Sequence, residues 1–295
     1  MSPRSYVAKN KPTNCILLLI ASLLVPLVLL VSIVAAALAT GADMCSAFTS
    51  SDSAGAALRC MDITSGDVMT YAGKTSLESL ESISGGLAGV CIGPGLGRSD
   101  EQQEWARGAV GVISAVESVR AVVVDADGLW PGDGGPKALE HLRGAGGKTV
   151  VITPNIMEYG RLITAAFPGE PPTPSDTGQA RRLLESLGVT AMVLKGASDT
   201  IIMSSGSSLI CSVPGSTKRC GGLGDVLSGI LCVILGWYCR SEEGGARLED
   251  AIWTACAITR ESCRRAQDKN KRAMTAKDVL AEVPGVVEDL SPMKC

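Results

Sequence analysis

Aromatic rings, histidine and net charge are all scarce in this sequence, and each shortage removes a class of function. Two Phe, four Tyr and four Trp in 295 residues leave few rings for base stacking. With 27 basic against 30 acidic residues there is no basic excess to draw nucleic acid, and none is expected as a partner. His141 is the only imidazole, so a zinc-hydrolase site, a Ser-His-Asp triad or a Cys-His pair would have to run through it. Its setting, Ala138-Leu139-Glu140-His141-Leu142-Arg143, is that of a solvated surface helix. The eleven cysteines are odd in number and contain no C-x-x-C pair, which argues against a zinc ribbon or a disulfide scaffold. Many stand in apolar strings such as Gly89-Val90-Cys91-Ile92, where cysteine acts as a small hydrophobe. They read as reduced thiols of a cytoplasmic protein. Hydrophobic residues make up 46% and charged residues 19%, the balance of a folded chain long enough for one large α/β domain or two smaller ones.

Charge is absent altogether from residues 12–42, and residues 15–39 are almost wholly apolar. Such a run is long enough to cross a bilayer, and Arg4, Lys9 and Lys11 precede it as they would a signal anchor. It also reads as a buried core helix: residues 32–40 are alanine-rich and stop at Gly41-Ala42-Asp43, while Pro26 interrupts the run. A signal peptide is a third reading, for which the stretch is overlong. The chain therefore divides into an apolar segment, 1–42, and a catalytic domain, 43–295. Membrane association through 15–39 is left open, as is oligomeric state.

Beyond Asp43, short apolar runs alternate with longer amphipathic ones, the pattern of βα units around a mainly parallel sheet. Strands are predicted over 87–92, 121–125, 149–153 and 191–195, with a hairpin at 200–203 and 208–212. Helices are predicted over 100–119, 155–166, 175–187, 224–238, 247–266 and 276–282. Each of the first four strands ends in a polar or glycine-rich segment, and open α/β sheets collect ligands outside those carboxyl ends.

Two glycine-rich stretches fail as known phosphate motifs. Gly93-Pro94-Gly95-Leu96-Gly97 has Arg98 where a G-x-G-x-x-G fingerprint needs its last glycine. Gly144-Ala145-Gly146-Gly147-Lys148-Thr149 lacks the first P-loop glycine and leads into a strand, so it reads as a helix-to-strand turn. A third, Gly215-Ser216-Thr217-Lys218-Arg219-Cys220-Gly221-Gly222-Leu223-Gly224-Asp225-Val226-Leu227-Ser228-Gly229, runs directly into a helix. Backbone N–H groups at such a helix start bind anions, and the helix dipole adds positive potential. Asp225 at that mouth is placed to take a proton from a hydroxyl attacking a phosphoryl group. The competing reading makes Asp225 an N-cap, though capping would not require the glycines around it. Lys218 and Arg219 either neutralise phosphate or are solvated.

Gly-Gly-x-Gly-Asp before a helix resembles the ribokinase-like superfamily. Gly93 to Gly97, Asp125-Ala126-Asp127-Gly128-Leu129-Trp130, Thr153-Pro154-Asn155-Ile156-Met157-Glu158-Tyr159, Lys195-Gly196 and the long glycine segment together resemble the ATP- or ADP-consuming NAD(P)H-hydrate dehydratases. The likeness covers residues 34 to the C-terminus. It implies a three-layer α/β/α fold with a mainly parallel sheet. It also implies a lyase that phosphorylates the hydroxyl of NADHX or NADPHX and eliminates phosphate to restore NADH or NADPH. Asp225 would then be the base and touch the hydrate, with Gly222, Leu223 and Gly224 as the anion hole. Gly95, Asn155, Ile156, Met157, Glu158, Tyr159, Gly160 and Arg161 would hold the dinucleotide. Lys195, Gly196, Ala197, Ser198 and Asp199, with Gly215, Ser216, Thr217, Lys218, Arg219, Cys220, Gly221, Gly222, Leu223 and Gly224, would hold ATP. Asp125, Asn155 and Glu158 suit either a hydrated Mg²⁺ or capping and turn formation. The stretch 218–222 leans toward ATP over ADP as donor.

The opening departs from the family. A first strand with a Gly-Gly turn and a Tyr-x-Gly-Ala-Pro segment is replaced by Leu24-Val25-Pro26-Leu27, and its loss would expose a sheet edge. Residues 34–48 do resemble the family's next helix and strand. Two alternatives stand beside the dehydratase: a ribokinase-like kinase of a small alcohol, and a membrane-tethered pseudoenzyme that binds nucleotide without turnover.

Overall fold

The computed structural model describes residues 27–50, 68–73, 76–132, 135–142, 147–241 and 247–290. Residues 1–26, with most of the apolar segment's anchor-like start and the replaced first strand, lie outside them.

Helix α1 (Leu27–Thr40) leads through Gly41 into strand β1 (Cys45–Thr49), which pairs in parallel with β2 (Val68–Ala72). Helix α2 (Ser76–Ile83) follows. The main sheet has six strands in chain order: β3 (Gly89–Ile92), β4 (Ala121–Val124), β5 (Thr149–Ile152), β6 (Ala191–Leu194), β7 (Asp199–Met203) and β8 (Ser208–Cys211). The first four run parallel, and the β7–β8 hairpin adds antiparallel to β6. Between the parallel strands lie α3 (Asp100–Ala115), the short α4 (Lys137–Glu140), α5 (Ile156–Ala166) and α6 (Thr177–Leu187). Long helices α7 (Leu223–Arg240), α8 (Leu248–Asn270) and α9 (Ala276–Leu290) complete the chain.

Local chemistry accounts for most boundaries. Ser99 and Gln102 close a capping box on α3, Asn155 and Glu158 one on α5, and Asp176 caps α6, which Gly188 ends at φ +67°. The parallel strands β3 to β6 are buried on both faces, as parallel strands between helices must be, and alternate residues feed two cores. Ala121, Val123, Val151, Ala191 and Val193 pack with α1, α7, α8 and α9, whereas Val122, Val124, Val150, Ile152 and Met192 pack with α3, α5 and α6. Three layers result.

The apolar run resolves in favour of a core helix over its described part. Ile33, Val34, Ala36 and Ala37 are buried, and a Cβ on Gly229 would lie 2.5 Å from the Ile33 carbonyl oxygen, so α1 lies directly on α7. Residues 32–40 thus share one core with the domain that the sequence reading began at 43. Helix α7 is itself long and apolar enough to cross a membrane, yet residues 225–237 are all buried in the fold.

Three expectations need correction. Helix α3 stops at Ala115, short of the predicted 119. Helix α9 continues past 282 to Leu290 despite Pro284, because Val279, Val283 and Val286 bury one face and offset the hydrogen bond that proline removes. Strand β2 and helix α2 have no counterpart among the predicted elements; Tyr71 of β2 stacks on Phe48 of β1 at 4.7 Å, a contact that the sequence around 68–72 does not announce.

His141 is exposed at the end of α4, as its pattern implied. No disulfide joins the eight cysteines among the described residues, six of which are buried in the core between the sheet and α7–α8. The turn reading of 144–149 is matched where it is described: β5 begins at Thr149, and Lys148 Nζ donates to the Val116 and Val119 carbonyls.

Candidate active site

The carboxyl ends of β3, β4, β5 and β6 gather the polar residues the sequence singled out. After β3 the chain turns through Gly93 (φ +118°), buried Gly95 and Gly97. A Cβ on Gly93 would stand 1.9 Å from the Asp125 carbonyl oxygen, so only glycine lets this loop meet the one after β4. That second loop bends sharply: Ala126 adopts φ +50°, and its N–H donates to Asp125 Oδ1 at 2.8 Å.

Asp125 is the buried centre of the site. Lys195 Nζ donates to its Oδ1 at 2.7 Å and Ser228 Oγ to its Oδ2 at 2.6 Å. Glu158 Oε2 lies 3.9 Å from the same ammonium. Burial works against the Lys195 charge, but Asp125 and Glu158 outweigh it and its pKa ends raised. A Cβ on Gly224 would sit 3.4 Å from Lys195 Nζ and 3.9 Å from Asp125 Oδ2, which places this ion pair against the start of α7.

Helix α7 begins at Gly222, whose φ of +89° is a left-handed cap without a side-chain bond. Asp225 is the third residue of the helix and not its cap, so the capping reading is excluded. The first N–H groups of α7 precede its first i→i−4 bond, which Val226 makes to the Gly222 carbonyl, and the Asp225 carboxyl accepts from its own amide. Asp225 is only 7% exposed. Burial first and the Asp125 charge second raise its pKa to about 7, against the opposing pull of Lys195. A carboxylate with that proton affinity is a far better base at neutral pH than an exposed one.

Several sequence-predicted contacts are structural. Tyr159 is fully buried beneath α5, its hydroxyl donating to Gln179 at 3.0 Å, so it lines a core and cannot meet a dinucleotide. Burial pushes its phenol up to about 12. Asn155 and Glu158 cap α5: Asn155 Oδ1 accepts from the Met157 and Glu158 amides, and Glu158 Oε2 from the Asn155 amide. Both Asp125 oxygens accept hydrogen bonds as well, Oδ1 from Lys195 and the Ala126 amide and Oδ2 from Ser228. Asp199 pairs with Arg260 at 3.1 Å and also accepts from the Gly196 amide. Lys218 donates to the Arg272 and Met274 carbonyls, and Arg219 is exposed. Ile156, Met157, Gly196, Ala197 and Ser198 are exposed at the rim, and Gly160 and Arg161 are half-buried on α5.

Helix α8 supplies residues that the sequence reading missed. Arg260 donates to the Ala197 and Val213 carbonyls as well as to Asp199. Gln267, two turns further on the same face, accepts from the Thr217 amide and donates to the Thr217 hydroxyl, both at 2.7 Å. Together they fix the loops 195–199 and 213–218 against each other. Neither residue stands in a motif, and only their seven-residue spacing hinted at a shared face.

Comparison with known proteins agrees with this geometry. The sequence profile of the NAD(P)H-hydrate dehydratases matches residues 32–285. The human ATP-dependent (S)-NAD(P)H-hydrate dehydratase is 38% identical over 202 residues, covering 67% of this chain and 56% of that protein. Its counterpart from Nematostella vectensis is 32% identical over 260 residues, covering 86% and 70%. The chain thus spans less than two thirds of the human enzyme's length. Among solved structures, the Bacillus subtilis ADP/ATP-dependent NAD(P)H-hydrate dehydratase co-crystallized with ATP/Mg²⁺ superposes with a TM-score of 0.71 at 18% identity, over 97% of both chains. A ribokinase-like superfamily protein from Enterococcus faecalis gives 0.69 at 17% identity, over 99% of this chain and 95% of that one. The fold is ribokinase-like, and the chain belongs to the NAD(P)H-hydrate dehydratase family.

Proposed function

We propose that this protein is an ATP-dependent lyase that returns (6S)-NADHX and NADPHX to NADH and NADPH. The observation that carries the reading is Asp225, buried beside the uncapped N-terminus of α7 with a pKa raised to about 7. In this reading Asp225 takes the proton of the hydrate hydroxyl as its oxygen attacks the γ-phosphorus of ATP. The amides of Gly222, Leu223 and Gly224 stabilise the charge that develops on the phosphoryl oxygens. ADP leaves, the phosphorylated carbon then loses phosphate while the adjacent ring carbon gives up a proton, and the nicotinamide ring regains its double bond. Gly95 with Asn155, Ile156, Met157, Glu158, Gly160 and Arg161 would line the dinucleotide, and the loops 195–198 and 215–224 the ATP.

Mg²⁺ is assigned to the nucleotide. Among the described residues no three acidic, His or Cys side chains are grouped to cage an ion. An ion that keeps its water and rides on ATP phosphates does not require such a cage, and it would supply charge neutralisation there. Residues 43–295 together with α1 are taken as the catalytic unit. The chain's enzyme fold fits a cytoplasmic setting, which a carbonate wash of fractionated cells checks: an inserted segment before residue 27 would hold the protein in the pellet.

The test is recovery of reduced-nicotinamide absorbance when the protein meets NADHX, Mg²⁺ and either ATP or ADP. Recovery with ATP is the expected result, and Asp225→Asn should lower it about 10²–10⁴-fold while the protein still folds. Undiminished turnover in that variant would rule out the base assignment. ATP binding without any turnover of NADHX would favour the small-alcohol kinase or the pseudoenzyme.

A further inference from the structure

Beside the site stands a cationic group that draws Arg98 together with Trp130 and Arg161 of the family segments. Arg98 follows the β3 turn, Trp130 closes the β4 loop and Arg161 sits on α5, all at the carboxyl edge of the sheet. The Arg98 guanidinium carbon lies 4.6 Å from the centre of the Trp130 ring and that of Arg161 5.7 Å. Arg98 is held in place: its Nε donates to Asp127 Oδ1 at 2.7 Å, and the Gly97 amide binds the other Asp127 oxygen at 3.2 Å. Arg161 has no carboxylate partner among the described residues. The group therefore carries one positive charge in excess, two arginines against one aspartate, with Arg98 half-exposed to solvent.

Drawing two like charges to one ring is unfavourable by itself, and the ring's quadrupole offsets only part of that. The arrangement becomes favourable when an anion arrives. A guanidinium beside an aromatic ring keeps edge N–H groups free, and their fork matches phosphate oxygens in pairs. Asp127 occupies one edge of Arg98 and so turns the remainder of that fork outward.

We infer that Arg98, Trp130 and Arg161 form a phosphate-reading subsite for the dinucleotide. The inference rests on the dinucleotide reading above and adds to it two residues, Arg98 and Trp130, with a ligand chemistry. A dinucleotide offers phosphate in two places, the pyrophosphate bridge and, in the NADP form only, the 2′-phosphate. The subsite thereby discriminates between the two forms if it meets the second.

The test is calorimetric binding of NAD⁺, NADP⁺ and ATP to the wild type and to Arg161→Gln and Arg98→Gln, both on exposed or half-buried side chains, with Trp130→Leu as a third variant. Loss of a charge-assisted pair to phosphate should weaken the affected ligand about tenfold or more, with ATP binding kept as the check on folding. A loss confined to NADP⁺ assigns the subsite to the 2′-phosphate, and an equal loss for NAD⁺ and NADP⁺ assigns it to the pyrophosphate. Unchanged affinities in folded arginine variants would overturn the inference, as would a wild type that binds neither dinucleotide. The outcome is separable from the proposed activity. Intact repair of NADPHX with unaltered variant binding removes the subsite alone, whereas an arginine-dependent NADP⁺ affinity without repair removes the reaction alone.

Discussion

Replacing Asp225 with Asn should make the fold more stable at pH 8 than at pH 5 relative to the wild type. The carboxyl titrates at 3.8 when unconstrained and at about 7 here, because it is buried and faces the Asp125 charge. Between those values the folded protein holds a proton that the unfolded chain has released. Stability therefore falls as pH rises from about 4 to about 7 and is level above that. At about 1.4 kcal/mol per pKa unit, the whole span corresponds to about 4 kcal/mol, and the portion between pH 5 and 7 to about 3 kcal/mol. The substituted amide has the carboxyl's shape and no ionisation, so the variant would escape that loss. The assay is urea unfolding of both proteins at pH 5 and pH 8. The stability of the variant minus that of the wild type should grow by about 3 kcal/mol between the two conditions, and titrating groups distant from Asp225 cancel in this double difference. A change under about 1 kcal/mol would refute the reasoning, since it would mean that Asp225 ionises as freely in the fold as in the unfolded chain. The same proton governs activity in the proposed mechanism, so the acid limb of kcat/KM should have its midpoint near the folded pKa.

Gly222→Ala places a side chain at φ +89°, 3.1 Å from the Ala276 Cβ and 3.3 Å from Ser32 Oγ. It should cost about 1–2 kcal/mol by urea unfolding and weaken ATP binding by calorimetry, because the amides that follow would shift. Arg260→Ala leaves the Asp199 carboxylate buried without its ion pair, a loss of about 3 kcal/mol, and unties the Ala197 and Val213 carbonyls. KM for ATP should therefore rise more than kcat falls, whereas a purely structural role would lower stability with KM unchanged.

Much of the site's backbone was legible because neighbouring residues encode it. Gly93, Gly95, Gly97 and Gly222 stand at positive φ, where glycine is favoured, and the capping boxes at Ser99 and Asn155 mark helix starts within four residues. The same locality gave the alternation of strands with helices and the ends of β4, β5 and β6. Tyr159 shows the limit. Its motif pointed to substrate, yet it lies three and four residues before Leu162 and Ile163 on the face that α5 buries, so helical spacing was the better guide.

By itself the sequence determined the βα alternation, the glycine turns at the strand ends and an aspartate at the head of an anion-binding helix. Those features depend on backbone torsions and hydrogen bonds within a few residues. The tertiary structure decided the rest. It brought Lys195 and Ser228 onto Asp125 from 70 and 103 residues away, set Arg260 and Gln267 behind the loops 195–199 and 213–218, and placed α1 in the core against α7. These contacts follow from strand register and from which helix face meets the sheet. Burial and the charge of a distant aspartate then raise the proton affinity of Asp225, a property that no stretch of neighbouring residues contains.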